Sequence, residues 1–274
     1  MTWTARSRTI GGELRRQRVA ARLTLEDLGS HVGVGRTTIH RWETGERDIG
    51  RSHLVNVLEA LGVTGTSRAE LLDLHADLTQ PAWWDADDVP STLRPLAALE
   101  AQATQITDVA IVLVPGLLQT ADFAAAAIRG SGVTAGSEID RRVAARLARQ
   151  KILPTITYRA VIDEAALVRP VGDWRVMAAQ AEHLVELADE MPIHVVPLDR
   201  GAHAGLTGAF MLLEFSAGWP VVHIDGLRSS TLIDGRVQTR EYARATEAIT
   251  GLAMSRTASR NLIAEYVDRW RKRA

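Results

Sequence analysis

Residues 23–45 read LTLEDLGSHVGVGRTTIHRWETG, and the fold of the N-terminal part turns on them. Thr24 stands where a hydroxyl takes a free amide of a helix running from Leu25 to about Val32, and Asp27 three residues on adds an acid at the positive helix end. Gly33-Val34-Gly35 breaks that helix. A further helix follows from Arg36 to Trp42 or Glu43, with Ile39 and Trp42 pointing inward and Arg36, Thr37, Thr38, His40 and Arg41 left outside, until Gly45 stops it. Two short helices across a three-residue glycine-bearing turn, the second carrying small polar and cationic side chains, make a helix-turn-helix. The side chains suit reading of a duplex: Arg grips guanine O6 and N7 in bidentate fashion, Thr bonds an edge or touches a thymine methyl, and His or Arg holds phosphate. The rival reading is a helical bundle whose polar faces are merely solvated.

Outward from this stretch, Ile10, Leu14 and Ala21 mark a preceding amphipathic helix that ends before Leu23. Leu54, Val57, Leu58 and Leu61 mark a fourth before Gly62, and Leu71, Leu72, Leu74 and Leu78 a fifth opened by Ser67 with Glu70 three residues on. Residues 1–80 are therefore expected to form an all-α DNA-binding domain, with Arg36, Thr37, Thr38, His40, Arg41, Thr24 and Arg47 as its contact residues. Residues 1–51 hold ten arginines against six acids, whereas the whole chain carries a net charge of -1, so any phosphate-facing patch is local. The total of thirty Arg against two Lys is a coding bias and carries no mechanism.

A length of 274 residues points to two domains, and 46% apolar with 24% charged residues points to a globular chain. No apolar run approaches the ~20 residues that span a bilayer, and MTWTARSRTI lacks the apolar core of an export signal, so a cytoplasmic protein is expected. Zero cysteines exclude disulfides, thiol catalysis and thiolate metal sites. PAWWDADDVPSTLRP, residues 81–95, has the proline and acid content of a linker. Residues 96–274 then mix periods. Helices are expected at 96–104, 119–129, 138–151, 174–190, 238–253 and 258–271, and strands at 106–114, 156–162, 193–197, 210–215 and 221–224. The fold class is α+β, a helical head followed by an effector- or partner-binding domain with a small sheet.

In that second domain Gly201-Ala202-His203-Ala204-Gly205-Leu206-Thr207-Gly208 is a glycine-rich loop without the GKS/T ending of a P-loop, and close packing explains it better than anion binding. His194, His203, His223 and Asp225 would have to meet in space to hold zinc, since none sits at ligand spacing on one helix. Asp163 and Glu164 cap the helix that starts there. Arg141, Arg142, Arg146 and Arg149 form a stripe read as a solvated or ion-paired face, with an acidic-partner surface as the alternative. Trp174, Trp219 and Trp270 are surplus aromatics of the kind found in protein interfaces. No catalytic, cofactor or metal residue is assigned.

The run Leu14-Arg15, Arg18, Leu23-Thr24, Leu28-Gly29, Gly33 to Glu43 and Gly45 resembles the Xre/Cro-type helix-turn-helix of bacterial regulators. That resemblance implies that Arg18 and Glu43 pair to lock the first helix to the recognition helix. Many members carry Gln after the Thr24 position to grip the DNA backbone; Leu25 stands here, so a backbone amide would have to take over. VPGLLQTADFAAAAIRG (114–130), RRVAARLARQKIL (141–153), VIDEAALVRPVG (161–172), QAEHLVELAD (180–189) and VVPLDRGAHAGLTGAFMLLEF (195–215) resemble the C-terminal domain of unknown function of actinobacterial, antitoxin-like regulators of this type. VHIDGLRSSTLI, within 222–233, departs from that pattern and puts the role of its strand in doubt. The combination implies a cytoplasmic transcriptional repressor, bound as a homodimer to a double-stranded DNA operator and controlled by an effector or a small companion protein, with no membrane partner. An antitoxin neutralising that companion, with autoregulatory DNA binding, is the alternative; an enzyme with a DNA-binding head is a third.

Overall fold

Hydrophobic periodicity in the first eighty residues yields a helical unit and the β-branched runs beyond them a mixed sheet, in a computed structural model that describes residues 5–76, 83–86, 89–91, 93–216, 219–227 and 229–273. The contacts divide the chain into two compact units, residues 1–86 with 215–218, and residues 87–214 with 219–274. In the first unit α1 (Ala5–Ala20), α2 (Leu25–Val32), α3 (Arg36–Glu43), α4 (Arg51–Ala60) and α5 (Gly65–Ala76) enclose a core of Ile10, Leu14, Leu28, Ile39, Trp42, Ile49, Leu54, Val57, Leu58, Val63 and Leu71. The first helix ends before Leu23 and the fourth before Gly62, as expected, whereas α5 starts at Gly65, ahead of Ser67; Leu78 and part of the expected linker lie outside the described residues.

Two glycines set the spacing of that bundle. Gly33 ends α2 at φ +73°, a left-handed conformation that a side chain resists, so the chain turns at once toward α3. Gly11 of α1 lies against the end of α3, where a β-carbon would stand 2.2 Å from the Trp42 carbonyl oxygen and 2.8 Å from that of Glu43. Alanine normally improves a helix interior by roughly 1 kcal/mol over glycine. Here the clash forces α1 and α3 apart, so Gly11→Ala is expected to lower stability by about 2 kcal/mol or more, read as a shift in the urea midpoint at unchanged slope.

The second unit is built on one six-stranded sheet in the order β3-β2-β1-β4-β5-β6, from β1 (Gln105–Ala110), β2 (Thr157–Asp163), β3 (Ile193–Val196), β4 (Phe210–Glu214), β5 (Val221–Asp225) and β6 (Ser230–Ile233). β1 pairs in parallel with β2, and β2 with β3, whereas β4, β5 and β6 add antiparallel partners on the other side of β1. The fold is α+β. The parallel connections run through α7 (Ala121–Gly130) and α8 (Gly136–Gln150), then through α9 (Ala165–Val168) and α10 (Trp174–Glu190), as parallel pairing requires crossovers. α6 (Arg94–Glu100) precedes β1, and α11 (Arg236–Leu252) and α12 (Arg256–Arg271) follow β6. One sheet face, Val109, Val161, Val196, Phe210, Leu212 and Val222, packs on Ile249, Tyr242 and Leu252 of α11.

Two sequence expectations are corrected here. The first strand stops at Ala110 and not at Val114, because the chain bends into a turn at 116–118 that leaves Val112 and Leu113 exposed. The doubtful stretch after Val222 does pair, as the β5–β6 hairpin, but β6 is a four-residue edge strand with three residues exposed, so it shows no alternation to read.

On the other face of β1, register places Asp108 beside Met211 of β4, which in turn pairs with His223 of β5. Asp108 is buried; its carboxylate accepts from the Tyr158 hydroxyl at 3.4 Å, and desolvation pushes it up to about 7 against the nearby charge of Arg149. The native state therefore holds this proton more tightly than the unfolded chain does. Its stabilising contribution is complete below about pH 4, the range of a free carboxyl, and is lost as pH rises through about 7. Asp108→Asn, which cannot ionise, is expected to match the wild-type unfolding midpoint near pH 4 and to exceed it near pH 8.

Candidate nucleic-acid interface

The start of α2 is fixed by local chemistry. The Thr24 hydroxyl accepts from the Asp27 amide at 3.1 Å while the Asp27 carboxylate accepts from the Thr24 amide at 2.9 Å and from its hydroxyl at 2.6 Å, a reciprocal cap. Those bonds hold Asp27 below its ordinary range. They also engage Thr24, an expected DNA contact.

α3 divides cleanly by burial. Ile39, Trp42 and Glu43 are inside, and Arg36, Thr37, His40 and Arg41 are exposed on the outer side. Arg47, just past the helix, is exposed as well, and its amide donates to the Arg41 carbonyl at 3.1 Å. Thr38 is set apart from them: it is half-buried and lines a cleft with Val34, Trp42, Arg47, Asp48, Gly50 and His53. The side chains of Arg36, His40, Arg41 and Arg47 make no hydrogen bond or ion pair among the described residues.

Behind the helix the charges are satisfied. Arg18 of α1 donates Nε to Glu43 Oε1 at 2.6 Å and Nη2 to Oε2 at 3.0 Å, and its Nη1 reaches the Leu23 carbonyl at 2.7 Å. The Glu43 side chain is 3% exposed and that of Arg18 12%, so the pair joins α1, α3 and the start of α2 in one desolvated contact. Hydrogen bonding to Glu43 holds Arg18 above the usual arginine range.

The second unit treats its expected candidates differently. His194 lies near the Met254 carbonyl at 3.0 Å, and His203 Nε2 near Asp163 Oδ2 at 3.0 Å. His223, by register, faces the opposite side of the sheet from His194, so the three histidines do not converge. No group of three or more metal-ligating side chains occurs among the described residues. Asp163 also accepts from the Ala165 amide at 2.8 Å, as a cap, and Glu164 accepts from the Tyr266 hydroxyl at 2.6 Å and the Leu198 amide at 3.0 Å. In the loop 201–208 a β-carbon on Gly205 would stand 2.9 Å from Ile111 Cδ1, so close packing accounts for that glycine.

The arginine stripe is ion-paired at three of its four positions, but part of it is buried. Arg141 and Arg142 do pair at the surface with Glu138, but Arg149 is buried and forms a bidentate pair with buried Glu100, and Arg146 bonds Gln119. Against the burial that opposes its charge, Glu100 holds Arg149 above the usual arginine range. The partners lie 49 and 27 residues away, so no helical pattern within 141–149 signals them. Trp270 likewise is core, its Nε1 donating to the Leu167 carbonyl at 3.1 Å, whereas Trp219 is 45% exposed beneath Arg236. No helix of the described residues is long and apolar enough to cross a membrane.

The chain matches the family model of a helix-turn-helix domain over residues 9–71 and that of a domain of unknown function, DUF5753, over residues 93–265. No curated protein and no solved structure matches it. The geometry behind α3 gives a direct test. Arg18→Met strands a buried carboxylate and is expected to cost about 3 kcal/mol in urea denaturation, while Arg18→Met with Glu43→Leu recovers most of that loss.

Proposed function

This chain belongs to the DUF5753 family and carries a helix-turn-helix domain ahead of the matched region, and on that premise we propose that it is a sequence-specific DNA-binding transcriptional regulator of the Xre type. The observation that carries this reading is the contrast on α3 between one locked face and one uncommitted face. Ile39, Trp42 and the Arg18–Glu43 pair fix the helix, and Arg36, Thr37, His40 and Arg41 stand exposed. Exposed cations without intramolecular partners lose little of their own pairing when a phosphate or a guanine edge takes them. Arg36, Thr37 and Arg41 are assigned to base edges, and His40 and Arg47 to phosphate. Thr38 and Thr24 serve as flanking contacts, Thr38 from its cleft and Thr24 through the capped end of α2.

A single head of this size offers too little base-reading surface for an affinity of about 10⁻⁸ M, so the regulator acts as a homodimer on a roughly palindromic operator in the cytoplasm. The second unit is an effector- or partner-binding module. Support comes from Val112, Leu113, Leu198 and Leu206, exposed apolar residues on segments that follow parallel strands β1 and β3, the sheet end at which mixed and parallel sheets commonly receive ligands.

Selection of duplexes by the full chain from a random pool, followed by titration at several salt concentrations, tests the DNA reading. Arg36→Ala or Arg41→Ala is expected to cost about 1–3 kcal/mol and to relax preference at one position. Arg47→Ala is expected to weaken all duplexes alike and to lower the salt slope by about 1. Selection that enriches no sequence, or binding untouched by all three changes, overturns the assignment.

A further inference from the structure

In the second unit two of the arginines of α8 that flank Arg146 have carboxylate partners: exposed Arg142 on Glu138 of the same helix at 2.7 Å, and buried Arg149 on Glu100. Arg146 between them has none at ion-pair distance among the described residues. Its Nη1 donates to Gln119 Oε1 at 2.7 Å, and no described residue accepts from Nε or Nη2. Gln119 is 3% exposed and is held by its own Nε2 bond to the Val114 carbonyl at 2.7 Å, which fixes its oxygen toward Arg146. The guanidinium is therefore held in place by a buried neutral group, an arrangement that orients a cation without neutralising it.

The surroundings make that lack of neutralisation consequential. Burial, with the charge of Arg149 beside it, pushes Arg146 down to about 10. Both guanidiniums lie beside Gly116: a β-carbon there would stand at ordinary contact distance, 3.6 Å from Arg149 Nη1 and 3.7 Å from Arg146 Nε. Facing them across the sheet surface are His223, which burial pushes down to about 4 and so keeps uncharged at neutral pH, and Asp225, which acts on Arg146, Arg149 and His223 through space without contacting Arg146. Arg146 Nε and Nη2 are not sealed, since neither is among the fully buried unpartnered atoms. A partly desolvated guanidinium with two unused donors in a fork is the geometry that accepts an oxyanion in bidentate fashion.

We propose that the partly buried guanidinium of Arg146, where α8 meets the 116–119 turn, is a binding site for a small oxyanionic molecule, a carboxylate or phosphate compound, held by Arg146 and oriented by Gln119. Occupation of this site does not depend on whether the first unit binds DNA.

The test uses the full chain, with inorganic phosphate and citrate as probes and chloride keeping ionic strength constant. The wild-type thermal midpoint is expected to rise by about 5–10 °C at a probe concentration near 100 times its Kd. Arg142→Gln should respond as the wild type does, and Arg146→Gln should not respond. In chloride alone, Arg146→Gln should unfold at or above the wild-type midpoint, because it removes a partly desolvated cation that no carboxylate contacts. Asp225→Asn, an exposed change that leaves the arginine in place, should tighten phosphate binding about threefold or more by removing a like charge. A response that survives in Arg146→Gln, or no response to either probe in any of the proteins, overturns the proposal. So does a lower midpoint for Arg146→Gln in chloride, which would make Arg146 a structural residue. Loss of duplex binding in Arg146→Gln would assign the site to nucleic acid and overturn the small-molecule reading.

Discussion

In each unit of this chain a guanidinium largely taken out of water meets a carboxylate, and that pair organises the unit. Arg18 and Glu43 join α1 to α3 in the first unit, and Arg149 and Glu100 join α8 to α6 in the second. Each pair is bidentate and mostly desolvated, so each member fixes the position of the other and removing one strands the other. Neither pair needs to add much net stability to matter. Each specifies one relative placement of two helices where apolar packing alone would tolerate several.

In the first unit this placement separates structure from recognition. The arginine that a helix-turn-helix needs for rigidity is spent on Glu43, and the arginines of α3 and the following turn remain uncommitted. The close approach of Gly11 to the Trp42 and Glu43 carbonyls presses α1 against the end of the same helix. Recognition helices gain from such support, since loss of orientation in the helix spreads to every base contact it makes.

The second unit shows what a mixed sheet does with polar residues. Asp108 and His223 sit on neighbouring lines of one sheet face because β1, β4 and β5 pair in a register that alternation cannot announce. Asp163 at the end of β2 holds His203 and so ties the glycine-rich loop to the sheet, while Glu164 takes bonds from Leu198 and Tyr266. Three carboxylates that look dispersed along the chain thereby become internal fastenings.

What could be read from the amino-acid order alone was whatever is decided within about five residues. Thr24 and Asp27 announce a helix start, Gly33 a left-handed stop, and Ile39 with Trp42 an inward face, because capping, chirality and the 3.6-residue period act between near neighbours. The same holds for most strands of the sheet, whose apolar runs are long enough to show. The arginine stripe of α8 reads as a solvated or ion-paired face and is ion-paired at Arg141, Arg142 and Arg149, but the helical period gives its spacing and not whether water or Glu100, 49 residues away, lies opposite. β6 escaped for a related reason: an edge strand exposed on both faces leaves no apolar trace, and only its pairing with β5 makes it a strand. Propensity and capping are properties of a segment, whereas desolvation and counter-charge are properties of a place, and the chain acquires places only when it folds.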